Sequence, residues 1–389
     1  MEKIFNNTQV AFSLKSDTEL DRAYSLFKLI DSQPLVRIGT AVTNFAIKAH
    51  LPVEGLIRAT VFDHFCGGVS ENDCLTVVDK MFTKGVSSVL DYSVEGKEEE
   101  AQFDAALEMT LKTIEFAEEK KSIPFAVFKP TGFGRFELYE KLGEGQTLNA
   151  EEQAEWDRVV ARFDTVCKVA HSKNVALLID GEESWMQDAA DDLVAEMMKK
   201  YNKEKAIVFN TLQMYRWDRL DYLKKLHEQA KQDGFYIGMK LVRGAYMEKE
   251  IKRAEEKGYP SPICESKEAT DSNYDAAVLY MVEHLQKMAI FAGTHNELSS
   301  YKLMDLMRAN NIQKNDERIW FGQLYGMSDN ISYNLAENGY NVAKYLPFGP
   351  VRDVMPYLIR RAEENTSVAG QTSRELTLIK TERNRRKGK

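Results

Sequence analysis

Cysteine is scarce in this chain of 389 residues: Cys66, Cys74, Cys167 and Cys264 are the full set, and no two form a CxxC pair. A chain of this length needs no covalent staples, so reduced, buried thiols in a reducing compartment are expected. The string His64-Phe65-Cys66 with Cys74 matches no familiar zinc spacing, and no metal site is expected. Proline is sparse too, at 9 beside 22 glycines, which excludes collagen-like and low-complexity chains. No run of about 18 uncharged apolar residues occurs, so no membrane span is expected. The N-terminal stretch lacks an apolar core ahead of a small-residue cleavage site, and Glu2, Asp17 and Glu19 oppose a transit-peptide reading. A cytoplasmic location without signal or transit segment is the expectation.

A basic surplus is also missing. The 52 basic and 60 acidic residues leave a net charge of −8, which argues against a nucleic-acid partner. The exception is the C-terminus, where Lys380, Arg383, Arg385, Arg386, Lys387 and Lys389 face only Glu382, a local charge of +5. Such a run is expected to be a solvated, frayed end, with contact to anionic lipid as the alternative.

What is present is a 43% hydrophobic composition with two successive rhythms. First, Leu20, Ala23, Tyr24 and Phe27 fall at helical spacing behind a Ser16-x-x-Glu19 capping box, and Val42 to His64 also reads as helical. Then short β-branched or aromatic runs alternate with longer amphipathic ones. Strands are expected at Ser88–Tyr92, Phe125–Lys129, Ala176–Asp180, Ile207–Leu212, Tyr236–Val242, Met288–Ala292, Ile319–Gly322 and Val342–Leu346. Eight strand and helix alternations predict an α/β fold, a (βα)₈ barrel, with an open doubly wound sheet as the alternative. Gly132-Phe133-Gly134 lacks the third glycine of a dinucleotide fingerprint, and no P-loop occurs. The expected division is a helical arm over 1–60, a barrel over 61–376 and a basic tail over 377–389. Long loops are expected at Pro130–Ala150 and Lys252–Ser266.

Barrel enzymes carry their chemistry where strands end. The polar residues there are Asp91, Lys129, Asp180, Gln213, Lys240 to Tyr246, Thr294, His295, Asn296, Gln323 and Tyr345. Arg360 and Arg361 lie on the helix after the last strand, with Glu364 at i+4 and i+3 from them, Asp353 as a candidate N-cap and Pro356 in the first turn. Spacing allows a surface ion pair or a carboxylate clamp of paired guanidiniums. Gly244 in Lys240-Leu-Val-Arg243-Gly244-Ala245-Tyr246 permits close backbone approach of a large ligand. Asp180-Gly-Glu182-Glu183-Ser-Trp185 concentrates acid at one strand end, where an ion pair with Lys129 is more natural than a metal.

Seven strings, DGEESW at Asp180, TLQMY at Thr211, KLVRGAY at Lys240, GTHN at Gly293, FGQLYGM at Phe321, KYLPFGPV at Lys344 and YLIRRAEEN at Tyr357, resemble those of the proline dehydrogenases of monofunctional type. The resemblance runs from about Val61 to Leu376. It implies a distorted (βα)₈ barrel with its last helix over the mouth, FAD as cofactor, oxidation of L-proline to Δ1-pyrroline-5-carboxylate, and a membrane quinone as electron acceptor. Peripheral contact with the inner face of a membrane follows from that acceptor, and the basic tail is a candidate for it. By resemblance, Lys129, Arg360 and Arg361 hold the substrate carboxylate, Asp180 orients Lys129, and Glu364 orients the arginines. Tyr246, Leu324 and Tyr345 pack on the ring, while Gln213, Lys240, Val242, Arg243, Gly244, Ala245, Thr294, His295 and Asn296 match flavin-contacting positions. Bifunctional bacterial members carry Arg where this chain has Lys240, so the cation is kept and the planar fork lost. The alternatives are a hydroxyproline dehydrogenase, against which Tyr345 speaks, a Schiff-base lyase using Lys129 or Lys240, and a non-catalytic carboxylate-binding barrel.

Overall fold

The computed structural model describes residues 3–30, 54–93, 98–367 and 371–388. Eight parallel strands, β1 Val86–Tyr92, β2 Phe125–Phe128, β3 Ala176–Ile179, β4 Val208–Gln213, β5 Ile237–Val242, β6 Met288–Gly293, β7 Ile319–Leu324 and β8 Val342–Phe348, close into a barrel in chain order. Helices of eight or more residues begin with α1 Asp17–Ile30, α2 Glu71–Phe82, α3 Glu100–Glu119, α4 Phe136–Gly143 and α5 Ala150–Ser172. They continue with α6 Ser184–Tyr201, α7 Arg219–Asp233, α8 Met247–Lys257, α9 Lys267–Glu283 and α10 Glu297–Ala309. The last are α11 Asp329–Glu337, α12 Met355–Ser367 and α13 Gln371–Arg386. All eight expected strands are present, so the chain adopts the α/β barrel and not the open sheet.

By internal contacts the chain divides into two compact units, residues 1–95 with 323–389, and residues 96–322. In the second, the inner face of the strands is filled by aromatic rings. Phe125 meets Phe209, Phe291 and Trp320 edge to face, with centroids 6.0, 5.2 and 5.2 Å away. Such pairs add about 0.5–1.5 kcal/mol each beyond area burial. Glycine is required opposite one of them, since a Cβ on Gly322 would lie 2.1 Å from the Phe291 ring. The expected loop at Pro130–Ala150 contains α4, whose Leu138 and Tyr139 are buried, the tyrosine hydroxyl donating to the Pro130 carbonyl at 2.8 Å. The expected loop at Lys252–Ser266 likewise starts inside α8 and is a loop only after Gly258, which caps that helix in the left-handed region at φ 73°.

In the first unit, the Ser16–Glu19 capping box forms as expected, at 2.7 and 3.2 Å. Residues 31–53, part of the expected arm and of the helix read at Val42–His64, lie outside the described residues; residues 54–65 are helical. Asp353 is not the N-cap of α12, which starts at Met355 with Pro356 in its first turn, because residues 351–354 form a turn of their own. Nor is α12 the final helix. The expected frayed tail is corrected to the end of α13, which packs Leu378 and Ile379 against Leu20, Ala23 and Phe27 of α1. Its buried Glu382 accepts hydrogen bonds from Arg385, Arg386 and Thr8, and Arg386 also bonds Asp17 at 2.8 Å. Local charge counting missed Thr8 and Asp17 because they lie more than three hundred residues away in sequence.

Candidate active site

In the unit of residues 96–322, the expected site residues sit in the carboxyl halves of β2 to β6 or in the segments that follow them. This follows from chain chemistry: the apolar strand buries, and the first polar residue past it comes out at the rim. Lys129 directly follows β2 and is half-buried, as is Asp180 after β3. Gln213 closes β4 and Lys240 lies within β5, both buried, in rows where Thr211 stands beside Lys240 and Gln213 beside Val242. Arg243, Gly244, Ala245 and Tyr246 then lead into α8, and Thr294, His295 and Asn296 lead from β6 into α10.

Three groups of contacts tie these ends together. The Lys240 ammonium pairs with the Asp180 carboxylate across sixty residues of sequence. The Gln213 amide donates to the Glu182 carbonyl at 2.6 Å and accepts from the Ala245 N–H at 3.4 Å. Arg243 is held on three sides, by Asp271 at 2.6 Å, the Thr294 hydroxyl at 2.8 Å and the Ser299 hydroxyl at 3.0 Å, and lies 4.6 Å from the centre of the Tyr274 ring. The Thr294 oxygen also accepts the Asn296 N–H, and the Asn296 side chain caps α10 through Leu298 and Ser299. Gly244 takes φ 131°, and a Cβ there would lie 2.5 Å from the Tyr215 ring, so glycine is required on both counts. Gly244 and Ala245 are both exposed residues.

Sequence reasoning passed over Glu182 as a site residue. Its carboxylate accepts the Thr131 N–H at 3.0 Å and the Thr131 hydroxyl at 2.7 Å. Burial pushes this carboxyl up to about 7 against the opposing pull of Thr131 and Lys129. The available signal was its position, two residues past Asp180 in an acidic strand end. The same loop is fastened to α8: Ser184 donates twice to buried Glu250, Glu183 pairs with Lys249 at 2.8 Å, and Arg253 lies over Trp185 at 4.6 Å.

In the other unit, Leu324 ends β7, Tyr345 is buried in β8, and the Tyr345 carbonyl accepts the Tyr325 N–H at 2.8 Å. Arg360 and Arg361 lie on α12, with the Arg361 guanidinium buried and 5.3 Å from the centre of the Tyr357 ring. The side chain of Glu364 lies outside the described residues. Among the described residues, no three His, Cys, Asp or Glu side chains are grouped to hold a metal, and no helix is long and apolar enough to cross a membrane.

A closed (βα)₈ barrel whose strand ends gather buried cations, carboxylates and an amide has the design of an enzyme that binds a polar ligand there. The model of the proline dehydrogenase family matches residues 74–374, and the chain belongs to that family of oxidoreductases acting on CH–NH donors. Among curated relatives, it is 37% identical over 337 residues to the carbapenem antibiotics biosynthesis protein CarD of Pectobacterium carotovorum, covering 86% of each chain. It is 40% identical over 232 residues to the human mitochondrial proline dehydrogenase 1, a match that takes in 59% of this chain and 39% of that one. Among solved structures, proline utilization A of Bdellovibrio bacteriovorus superposes with a TM-score of 0.72 at 22% identity, over 94% of this chain and 39% of that one. The chain thus spans about two fifths of the length of these last two proteins.

Proposed function

We propose that this protein oxidises L-proline to Δ1-pyrroline-5-carboxylate with FAD as cofactor, electrons passing on to a quinone, as the first step of proline catabolism. The observation that carries this reading is the set of Lys129 after β2, Asp180 and Glu182 after β3 and Lys240 in β5, in a chain of the proline dehydrogenase family. The residues present fit a flavin: exposed Gly244 and Ala245 lie between Lys240 and Arg243 on one side and Tyr246 on the other, with the Gln213 amide bonded to Ala245 and the Thr294 hydroxyl to Arg243. Lys240, Gln213, Val242, Arg243, Gly244, Ala245, Thr294, His295 and Asn296 would hold it. When bound, FAD supplies the hydride acceptor.

The protein's own part is binding and orientation. Lys129 binds the substrate carboxylate, and fixing one end of a small rigid ring fixes the carbon that must lose hydride. Asp180 restrains Lys240 and, in this reading, orients Lys129. A net positive field lowers the proton affinity of the ring nitrogen, favouring the neutral amine from which hydride can leave. Arg360 and Arg361 are further carboxylate ligands in this reading, Glu364 orients them, and Tyr246, Leu324 and Tyr345 exclude water from the ring. An enzyme working at the inner face of a membrane accords with a quinone acceptor.

The test is the absorbance spectrum of the purified protein near 450 nm, the flavin band, before and after anaerobic addition of L-proline, with ~450 nm set by the cofactor's chemistry. Bleaching of that band is the expected result. A flavin band indifferent to proline refutes the substrate, and a protein that stays colourless after adding FAD refutes the cofactor.

A further inference from the structure

Glu182 is anchored at every polar atom. Its N–H donates to the Gln187 amide oxygen at 2.8 Å, its carbonyl accepts from Gln213 at 2.6 Å, and its carboxylate takes both donors of Thr131. Thr131 lies two residues beyond Lys129 in the short turn Pro130–Gly132. The carboxylate therefore fastens the segment that carries the Lys129 ammonium, and its side chain is buried, with 6% of the residue exposed. The charged and titratable groups facing it are Lys129 from the end of β2, the adjacent Glu183, itself paired with Lys249 of α8, and the Tyr139 phenol of α4. Lys129 is the cation among these that acts on Glu182 directly.

A ligand carboxylate bound to Lys129 brings a second negative charge to the same ammonium. A second anion close to a buried carboxylate disfavours its ionised form further, and the cheaper outcome is protonation of the group whose ionised form burial already disfavours. We infer that Glu182 is a positioning residue which shares Lys129 with the bound carboxylate and takes up a proton when that carboxylate arrives. This rests on the reading of Lys129 as a carboxylate ligand. It adds a coupling between ligand binding and pH that the resemblance does not supply.

The sign follows from burial having pushed the free carboxyl up to about 7. Well below that pH Glu182 already holds its proton and binding takes up none. Around and above it, binding drives uptake, so affinity falls as pH rises, by at most ~10-fold per pH unit for one proton. The probe is cyclopentanecarboxylate, a ring carboxylate with no amine, so nothing on the ligand titrates in this range. It is titrated calorimetrically into the flavin-loaded full chain at pH 6, 7 and 8, in pairs of buffers with different ionisation enthalpies, which report protons taken up per ligand bound.

Wild type is expected to take up roughly half a proton per carboxylate near pH 7. Glu182→Gln, which keeps the shape and one acceptor, is expected to bind with no uptake and with affinity unchanged between pH 6 and 8. Thr131→Val removes a donor to the ionised carboxylate and should move the uptake maximum to higher pH. Carboxylate binding without uptake in wild type, or uptake surviving in Glu182→Gln, overturns the inference and leaves the carboxylate reading standing. No binding of the probe at any pH removes both.

Discussion

The ion cluster around Asp329 and the cluster around Asp180 use the same materials in different surroundings. In the first, Asp329 takes Lys344 at 2.8 Å and Lys15 at 3.2 Å, Lys344 also donates to the Met327 carbonyl at 2.7 Å, and Glu375 accepts the Ser328 N–H at 3.3 Å. Burial alone would raise the Asp329 carboxyl, but Lys344 and Lys15 outweigh it and hold it well below the usual range. The second joins Asp180 to Lys240 and Glu182 to Thr131. Each cluster contains one glutamate that burial pushes up to about 7, Glu375 in one and Glu182 in the other. A displaced titration therefore does not separate a structural cluster from a functional one. Access does: the Lys344 side chain is fully enclosed, at 0% exposure, whereas Lys129 and Asp180 are half-buried at strand ends.

The comparison is broken most directly by Asp329→Asn. It leaves the enclosed Lys344 charge without its counter-charge, a defect that costs about 3–5 kcal/mol. Urea unfolding should show that loss, while flavin content per folded molecule stays unchanged. Lys240→Met should do the reverse. Removing a cation from the strand-end cluster is expected to lower kcat for proline by ~100-fold, the scale of one oriented electrostatic group, with a smaller change in the unfolding midpoint. If Lys240→Met unfolds the protein and Asp329→Asn abolishes turnover at full stability, the assignment of the two clusters is inverted.

The strands of both units were legible because each is a short β-branched or aromatic run, and the rim residues were legible as the first polar side chains past it. Partners were harder to read. Asp180 and Lys240 are sixty residues apart, and spacing alone offered Lys129 as the nearer strand-end cation. Glu182 was read as part of an acidic patch because burial, which gives it its character, has no local signature. The helix α4 has the sequence character of a loop, being eight residues long between glycine-containing turns, and its stability comes from burying Leu138 and Tyr139.

A smaller effect sharpens the contrast through pH. Glu375 has a folded-state titration near 7, above the ordinary glutamate value of about 4.3. Between those values the folded state binds more protons than the unfolded one, so this group's contribution to stability falls as pH rises through the window. Asp329, displaced the other way, contributes stability that is lost only as pH falls below about 4. Glu375→Gln keeps an acceptor for Ser328 and removes the titration. At pH 8 the variant is expected to be more stable than wild type by roughly 1–3 kcal/mol, and near pH 4.5 to differ little. Unfolding curves at the two pH values check this; equal differences at both would place the stability effect in packing and not in charge.

The smallest expected effect bears on the basic C-terminus. Arg383 pairs with Asp21 at 2.5 Å and lies 4.2 Å from the centre of the Tyr24 ring, both on α1. The ion pair is partly exposed, and such a contact with an added ring contributes only about 0.5–1 kcal/mol. Arg383→Ala should lower stability by that amount at low salt and by less at 1 M, where the Debye length is about 3 Å. Sedimentation with anionic vesicles gives the opposing arm. A residue engaged by Asp21 contributes little to lipid attraction, so vesicle binding should be nearly unchanged. If the substitution instead weakens vesicle binding several-fold while the unfolding midpoint stays put, the basic run serves a membrane surface, and its contacts with α1 are incidental.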